Sequence, residues 1–245
     1  MRRILFHCGS LPVYSYPAML YLGLVAGVAA GNMAAHDLGL DPFRTFLATL
    51  ILIPPALLGA RLLHLIEHWA FYRQHPERIW DQRDGGLAMY GGVPIMLVLS
   101  VPLLAYLRLD LGRFWDVASF TILVGMFFAR IGCFLNGCCC GRPTDSRMGF
   151  NLPNHRGVVR LRIPVQCLEA AWSLVILLVS VKIRRSLPFT GALFCLVAGG
   201  YAAGRLVLEP LREEANRQAR VTSSTLISIA ILLLCGAFLA VGWLK

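Results

Sequence analysis

The sequence predicts an all-α, polytopic membrane protein with about seven transmembrane helices and one irregular cap loop. Of its 245 residues, 57% are hydrophobic and only 15% are charged, a balance too apolar for a water-soluble domain of this length. Crossing about 30 Å of hydrocarbon requires roughly 20 apolar residues in a helix, and seven runs of that kind lie between charged segments. Because these runs and their connections use up the chain, we expect a single transmembrane domain over residues 1–245.

The predicted spans cover residues 13–35, 46–66, 87–107, 117–134, 164–181, 190–211 and 223–243. The chain begins with a basic segment, but Gly9, Pro12 and Pro17 interrupt the apolar stretch after it, so we expect no cleaved signal peptide. Residues 68–86 mix aromatic and charged side chains, which is typical of a segment lying at the headgroup level. Residues 135–163 form the longest connection, and their Asn, Gly, Pro and Arg content predicts the irregular cap loop.

The net charge of +10 comes from Lys and Arg residues scattered among the loops rather than gathered in one patch with interleaved aromatic residues. This distribution favours anionic lipid headgroups over nucleic acid as the partner. The N-terminus and the second, fourth and sixth connections carry more Lys and Arg than the other side. The charge count alone therefore predicts a cytoplasmic N-terminus.

Several ionisable residues fall inside the predicted spans, where each costs at least a few kcal/mol. Tyr201, Arg205 and Glu209 follow one another at intervals of four and therefore share one face of the sixth span. Arg205 and Glu209 could form a structural pair near the helix end, or Arg205 could serve a site. Arg130 has no acidic neighbour in its own span, so its partner is either a carboxylate of another span, Glu169 or Glu209, or a ligand phosphate.

A cluster of cysteines follows the fourth span, and its members are Cys133, Cys138, Cys139 and Cys140. Their spacing is not the paired C-x2-C of a zinc site, and the nearest histidine is His155, so the sequence predicts no metal ion. A disulfide inside the cluster or to another loop is favoured, with a reactive thiol as the alternative. The absence of Walker and Rossmann motifs from the sequence predicts that no nucleotide cofactor is used.

Several motifs follow one another along almost the whole chain. Glycine pairs bracket Tyr90 in residues 85–92, and residues 130–137 read Arg-Ile-Gly-Cys-Phe-Leu-Asn-Gly, followed by Gly141 and Arg142. The sixth span contains Tyr-x3-Arg-x3-Glu, and residues 164–169 read Pro-Val-Gln-Cys-Leu-Glu. In this order the segments resemble the bacterial prolipoprotein diacylglyceryl transferase family, including a tyrosine of its first span at Tyr16.

The resemblance implies an enzyme of the bacterial inner membrane that crosses it several times. Such an enzyme transfers the diacylglyceryl group of phosphatidylglycerol to a cysteine thiol of a lipoprotein precursor, and glycerol phosphate is released. The partners implied are therefore phosphatidylglycerol, a lipoprotein precursor or other thiol acceptor, and the lipid bilayer. The resemblance also implies a periplasmic N-terminus, opposite to the charge count.

Site residues are carried over from the resemblance one by one. Arg130 is expected to bind the donor phosphate, Arg205 to stabilise the leaving phosphate, and Glu209 to orient Arg205. Tyr90 occupies a position where many members have histidine, and it completes the predicted catalytic set. The residues expected to line the substrate site are Tyr16, Gly91, Gly92, Asn136, Arg142, Gln166, Glu169 and Tyr201.

The chain also departs from the family pattern inside the site. Cys133 and Cys138 stand where the signature has asparagine and glutamate, and Ile163 replaces a histidine. A thiol of the chain itself, Cys133 or Cys138, is therefore a further nucleophile hypothesis. Two other functions stay open: a phospholipid-binding membrane protein without transfer chemistry, and a thiol redox membrane protein that uses Cys133 and Cys138–Cys140.

Overall fold

The computed structural model describes residues 4–9, 11–79, 89–146, 149–153, 158–213 and 223–244. These ranges form helices and two small antiparallel hairpins. The strands are β1 (Ile4–Cys8), β2 (Leu11–Tyr14), β3 (Phe150–Pro153) and β4 (Val159–Arg162). The helices are α1 (Ser15–Asp37), α2 (Pro42–Glu67), α3 (Trp69–Gln74), α4 (Met89–Leu107), α5 (Leu111–Asn136), α6 (Val165–Ile183), α7 (Ala192–Leu208) and α8 (Ser223–Trp243).

Six of the seven predicted spans are confirmed as helices long and apolar enough to cross a membrane. The remaining span, the third in chain order, corresponds to α4, which is apolar but shorter, with Gly91–Leu107 as its apolar stretch. Its 19 residues rise about 28 Å at 1.5 Å per residue, which is close to the thickness of the hydrocarbon core. The chain is therefore an all-α, multi-pass membrane protein.

Short capped turns reverse the chain between neighbouring helices. The Asp41 side chain accepts a hydrogen bond from the backbone N–H of Arg44 at 2.7 Å and so caps α2, and Asp110 caps α5 in the same way. Three residues separate α4 from α5, so the two helices run in opposite directions. At its other end α5 stops at Gly137, whose φ of 79° lies in the left-handed region that glycine adopts without strain.

A line of glycines on α1 allows α5 to approach closely. Gly23, Gly27 and Gly31 recur every four residues and therefore share one helix face. A Cβ atom at Gly27 would lie 2.7 Å from the backbone oxygen of Thr121 in α5. Small residues at this spacing are how membrane helices pack in the absence of a hydrophobic driving force.

The apolar core gathers at the end of the bundle where α4 turns into α5. Leu104, Phe114 and Leu193 are each about 1% exposed there. By contrast, α8 leaves Leu233 and Leu234 about 70% exposed, as expected for side chains that face lipid. The opposite end of the bundle, where α5 finishes and α6 begins, holds the ion pairs that join Glu169 to three arginines.

The cap between α5 and α6 is more regular than the sequence predicted. The prediction of an irregular loop over 135–163 is wrong in part, because β3 and β4 pair as an antiparallel hairpin that runs from Phe150 opposite Arg162 to Pro153 opposite Val159. Arg162 is the largest fully buried side chain described, at 1% exposure. Its guanidinium donates to the backbone oxygens of Leu152 and Gly141, so it ties the hairpin to the start of the cap.

The segment predicted at the headgroup level begins with the short helix α3. Trp69 is 60% exposed while Tyr72 is buried, as expected of an amphipathic segment at a membrane surface. Arg61 of α2 donates to the backbone oxygen of Ile79 at 2.7 Å and lies 5.6 Å from the centre of the Tyr72 ring. This arginine therefore anchors the segment to α2.

Candidate active site

Three helix ends bring the charged residues together on one side of the bundle. Successive spans alternate in direction, so the end of α5, the beginning of α6 and the end of α7 lie at the same membrane face. Arg130 comes from the first of these, Glu169 from the second and Arg205 from the third. A backbone bridge between Gly141 and Arg212 joins the start of the cap to the end of α7.

The Glu169 carboxylate is the centre of the charged cluster. It is 3% exposed and faces three guanidinium groups. Its Oε2 atom lies 2.9 Å from Nε of Arg130, and its Oε1 atom accepts hydrogen bonds from Arg205 at 2.6 Å and from Arg212 at 3.1 Å. One carboxylate thus joins α6 to α5, to α7 and to the residue that follows the short 3-10 helix after α7.

Further contacts orient two of the arginines. Arg130 donates to the Tyr201 hydroxyl at 3.3 Å. Arg205 forms the i, i+4 ion pair with Glu209 at 3.0 Å, and Glu209 in turn accepts from the Ser224 hydroxyl at 2.6 Å. The partner of Arg130 left open by the sequence is therefore Glu169, while Glu209 pairs with Arg205.

The cluster carries more positive than negative charge. Arg130, Arg205 and Arg212 face two carboxylates, so the five groups have a net charge of +1 when all are ionised. The three arginine side chains are only 11–16% exposed, and charge in such a place is costly unless it is paired. An anion with several oxygen atoms would balance the excess, and a planar guanidinium binds a phosphate through two N–H groups.

Three thiols lie beside this cluster. The sulfur atoms of Cys133, Cys138 and Cys139 all lie within 4.8 Å of one another. The seven cysteines whose side chains are described are free thiols, so the structure contradicts the favoured disulfide for these residues. Cys133 is buried and Cys139 is exposed, which makes Cys139 the most accessible of the three.

Gln166 holds the backbone of residues 137–140, which follow α5 and are called the thiol loop here. It is fully buried, and its Nε2 atom donates to the backbone oxygen of Cys138 at 2.7 Å. Its Oε1 atom is buried and has no hydrogen-bond partner among the described residues. Asn136 ends α5 and forms a side-chain hydrogen bond with Cys138. Both residues predicted to line the site therefore contact the thiol loop.

Cys140 belongs to a different group of contacts. Its thiol points to Glu213 at 3.7 Å, and Glu213 pairs with the buried Arg162 of β4. Burial raises the pKa of the Cys140 thiol above its ordinary value. Hydrogen bonds from Cys133 and Cys138 instead hold the pKa of Cys139 well below the usual range, helped by the positive charges of Arg212 and Arg130.

Tyr16 joins the site from α1. Its ring packs against Gly132, where a Cβ atom would lie 3.3 Å from the ring, and it is close enough to Arg130 and to the three thiols to interact electrostatically. Arg142, by contrast, is exposed on the cap, where its backbone pairs with Leu211 and Ile163. The structure therefore brings Tyr16 to the site and leaves the Arg142 side chain at the surface.

The glycine pair predicted to contact substrate lies between helices. A Cβ atom at Gly91 would lie 2.3 Å from the backbone oxygen of Gly59, and one at Gly92 would lie 2.7 Å from that of Ala56. Both glycines therefore pack α4 against α2, and Gly91 also borders an apolar groove. Tyr90 is the second residue of α4, and its side chain lies outside the part of the chain that the structure describes.

Sequence reasoning missed Arg212. It lies one residue beyond the predicted end of the sixth span, yet it follows Arg205 by seven residues and Glu209 by three, which places it on the same helical face. That spacing could have identified Arg212 as a residue of the site. Arg162 and Glu213 carried no comparable signal, because their pairing spans 51 residues.

Comparison with known proteins identifies the family. The prolipoprotein diacylglyceryl transferase model matches residues 3–241. The chain belongs to this family. Among its relatives, the phosphatidylglycerol–prolipoprotein diacylglyceryl transferase of Dehalococcoides mccartyi (strain CBDB1) is 31% identical over 246 residues, covering 93% of this chain and 90% of the relative. The proteins of the same name from Clostridium botulinum (strain Loch Maree / Type A3) and Clostridium kluyveri are 28% and 27% identical, and they align with 94% and 97% of this chain and with 92% and 95% of their own lengths.

The chain is a member of the prolipoprotein diacylglyceryl transferase family that departs from the family pattern at Cys133, Cys138 and Ile163. Two of them, Cys133 and Cys138, are neighbours in space as well as departures in sequence. They flank the arginine cluster rather than lying far from it, because Cys133 is one turn beyond Arg130 on α5. The substituted residues thus change the surroundings of the predicted phosphate site.

Proposed function

We propose that this chain transfers the diacylglyceryl group of phosphatidylglycerol to a cysteine thiol of a lipoprotein precursor, with release of glycerol phosphate. The reaction takes place at a bacterial inner membrane. The single observation that carries the proposal is the arginine cluster around Glu169, because its net charge of +1 suits the phosphate of the donor lipid. The relatives from Clostridium botulinum and Dehalococcoides mccartyi are named phosphatidylglycerol–prolipoprotein diacylglyceryl transferase, which agrees with this reaction.

The arginines stabilise the charge that develops on the leaving group. As the bond between the glyceryl carbon and the phosphate oxygen breaks, the phosphate gains a negative charge. Arg130 and Arg205 approach from α5 and α7 and are held in advance by Glu169, so little reorganisation is needed at the moment of reaction. Each guanidinium has five N–H donors, and its carboxylate contacts use only some of them, so it can bind Glu169 and phosphate together.

An apolar groove formed by helix ends at the same membrane face as the arginines suits the acyl chains of the donor. It lies between α2, α4 and α8, and it has a volume of about 330 Å³. Leu62, Leu63, Ile95 and Ile227 line it, with Gly91 at one edge. A phospholipid whose phosphate lies at the arginines would place its chains against such an apolar surface.

Transfer from labelled phosphatidylglycerol tests the proposal directly. The purified protein in detergent is incubated with phosphatidylglycerol labelled in its acyl chains and with a peptide that contains a lipobox cysteine. We expect a thioether-linked diacylglyceryl peptide and one glycerol phosphate released for each transfer. A peptide with serine at the cysteine position is the matched control and should yield no product.

The outcomes separate this function from the two alternatives. A folded protein that copurifies with phosphatidylglycerol but forms no lipidated peptide would overturn the transferase and favour a phospholipid-binding protein. Reversible oxidation of the thiols without any requirement for phosphatidylglycerol would favour the redox protein. Loss of product in Arg130→Ala, with retained folding, is the result that the transferase requires.

A further inference from the structure

The spacing of the three thiols is close to that of a metal site. The sulfur atoms of Cys133, Cys138 and Cys139 lie within 4.8 Å of one another. A tetrahedral zinc ion bonds sulfur at about 2.3 Å, which places its ligands about 3.8 Å apart. Shifts of about 1 Å, within the reach of side-chain rotation, therefore convert the trio into three corners of a zinc tetrahedron.

The backbone is held in the conformation that makes the thiols converge. After α5 ends, the N–H groups of Gly137 and Cys138 both bond to the Cys133 oxygen, at 2.9 and 3.1 Å. Cys139 has a φ of 57°, in the left-handed region where a residue with a side chain is strained. The Gln166 amide fixes this turn from α6. Such strain is kept at functional sites, because the surrounding structure imposes it.

Charge and ligand type favour zinc. Three thiolates around Zn²⁺ carry a net charge of −1, and such a group is favourable beside the positively charged guanidinium groups of the arginine cluster. Arg130 and Arg212 are both close enough to interact with the Cys139 sulfur. A set of sulfur ligands selects a soft or borderline ion such as zinc over magnesium or calcium.

We propose that Cys133, Cys138 and Cys139 bind one zinc ion whose fourth coordination position receives the acceptor thiol. This assignment rests on the proposed function, since it gives the acceptor a place beside the donor phosphate. Three protein ligands with one open position are the arrangement of catalytic zinc sites. The accessibility of Cys139 leaves a side from which the acceptor reaches the metal.

Zinc supplies the thiolate that the reaction needs. The acceptor thiol binds zinc and loses its proton to water, because a thiol bound to the metal is deprotonated. Its sulfur then attacks the glyceryl carbon, the C–S bond forms as the C–O bond breaks, and the electron pair leaves on the phosphate oxygen. Glycerol phosphate carries one more negative charge than the phosphodiester, which balances the released proton, and zinc keeps its oxidation state. The thioether product is a weaker ligand than a thiolate and leaves the metal.

Metal content tests the site without any measurement of transfer. The full-length protein is purified in detergent, supplied with Zn²⁺ and freed of loosely bound metal, and zinc is counted per chain. We expect about one equivalent in the natural sequence and at least a tenfold loss of affinity for single variants Cys133→Ser, Cys138→Ser and Cys139→Ser. Cys167→Ser, an exposed thiol on α6, is the matched control and should keep the full equivalent. A natural-sequence protein that binds no more zinc than a triple serine variant would overturn the site.

Cobalt reports on the fourth position. Co²⁺ is loaded in place of zinc, and its visible spectrum is recorded before and after a lipobox peptide is added. A new thiolate-to-cobalt band with the cysteine peptide, and none with its serine counterpart, is expected; an unchanged spectrum would overturn acceptor binding at the metal. Zinc binding without peptide lipidation would refute the proposed function and leave the metal site, whereas lipidation by a protein that binds no zinc would refute the metal site alone.

Discussion

The Oε1 atom of Glu169 lies 2.6 Å from a terminal guanidinium nitrogen of Arg205, and this contact joins α6 to α7 inside the bundle. The same oxygen receives Arg212, while the other carboxylate oxygen faces Arg130. Because one carboxylate has three cationic partners, the contribution of each ion pair to stability depends on the other two pairs. The effect of changing any member depends on how many charges are left behind.

Arg205→Lys should slow transfer while the protein still folds. Lysine keeps the positive charge but lacks the fork that reaches Glu169 and Glu209 together. The loss of one charge-assisted hydrogen bond, worth about 1.5–3 kcal/mol, corresponds to a decrease of about 10- to 150-fold in the rate of lipidated peptide formation. Arg184→Lys, in the ion pair with Asp37 at the far end of the bundle, is the control and should leave the rate unchanged. Full activity of Arg205→Lys would mean that the pair with Glu209 is only structural.

Glu169→Gln should destabilise the protein more than a surface substitution. It leaves three partly buried guanidinium groups without their shared carboxylate, and removing one partner of a buried ion pair costs about 3–5 kcal/mol. Thermal unfolding in detergent measures the effect. Added phosphate or sulfate should raise the melting temperature of the variant more than that of the natural sequence, because the anion replaces the lost charge. Equal anion effects on the two proteins would contradict a phosphate site at this cluster.

Gly92→Val should lower the melting temperature. The added side chain would meet the backbone of Ala56 in α2, which cannot move aside as a flexible side chain can. Overpacking of this kind costs about 1–3 kcal/mol. Gly236→Ala in α8 is the matched control, since a Cβ atom there has nothing within 4 Å. Normal melting together with lost phosphatidylglycerol binding would instead assign Gly92 to the substrate.

Glu213→Gln should loosen the cap. The partner left behind is Arg162, which is 1% exposed and ties β4 to the backbone of Leu152 and Gly141. An unpaired buried guanidinium costs about 3–5 kcal/mol, so we expect faster hydrogen exchange in β3 and β4 and faster proteolysis between α5 and α6. Glu77→Gln, in an exposed pair with His75, should change neither. Unchanged hydrogen exchange in β3 and β4 would show that the backbone hydrogen bonds of the hairpin stabilise it without the Arg162–Glu213 ion pair.

The sequence predicts well what depends on neighbours along one helix. The spans followed from the length of apolar runs, and the pairing of Arg205 with Glu209 followed from their spacing of four. The sequence left Glu169 and Glu209 open as carboxylate partners of Arg130, because the choice between them depends on how three helices pack. Spacing along the chain provides no information on that packing.

The thiols illustrate the same limit on a shorter scale. Cys133 and Cys138 are five residues apart, a spacing that suggests no metal site by itself. They meet because Gly137 turns the chain in the left-handed conformation and Cys139 follows with a positive φ. The hairpin in the cap was missed although Val159–Arg162 alternates apolar and charged residues, because four residues are too few for a firm prediction of a strand.

The placement of the whole charged cluster at one end of the bundle has a consequence for the membrane itself. On the proposed function, the donor is drawn from a single leaflet and its headgroup is released into the water on that side. Each turnover converts a free phospholipid of that leaflet into the anchor of a protein. Steady activity therefore requires phosphatidylglycerol to be delivered continually to that leaflet, so the supply of lipid across the bilayer sets an upper bound on the rate at which proteins are anchored.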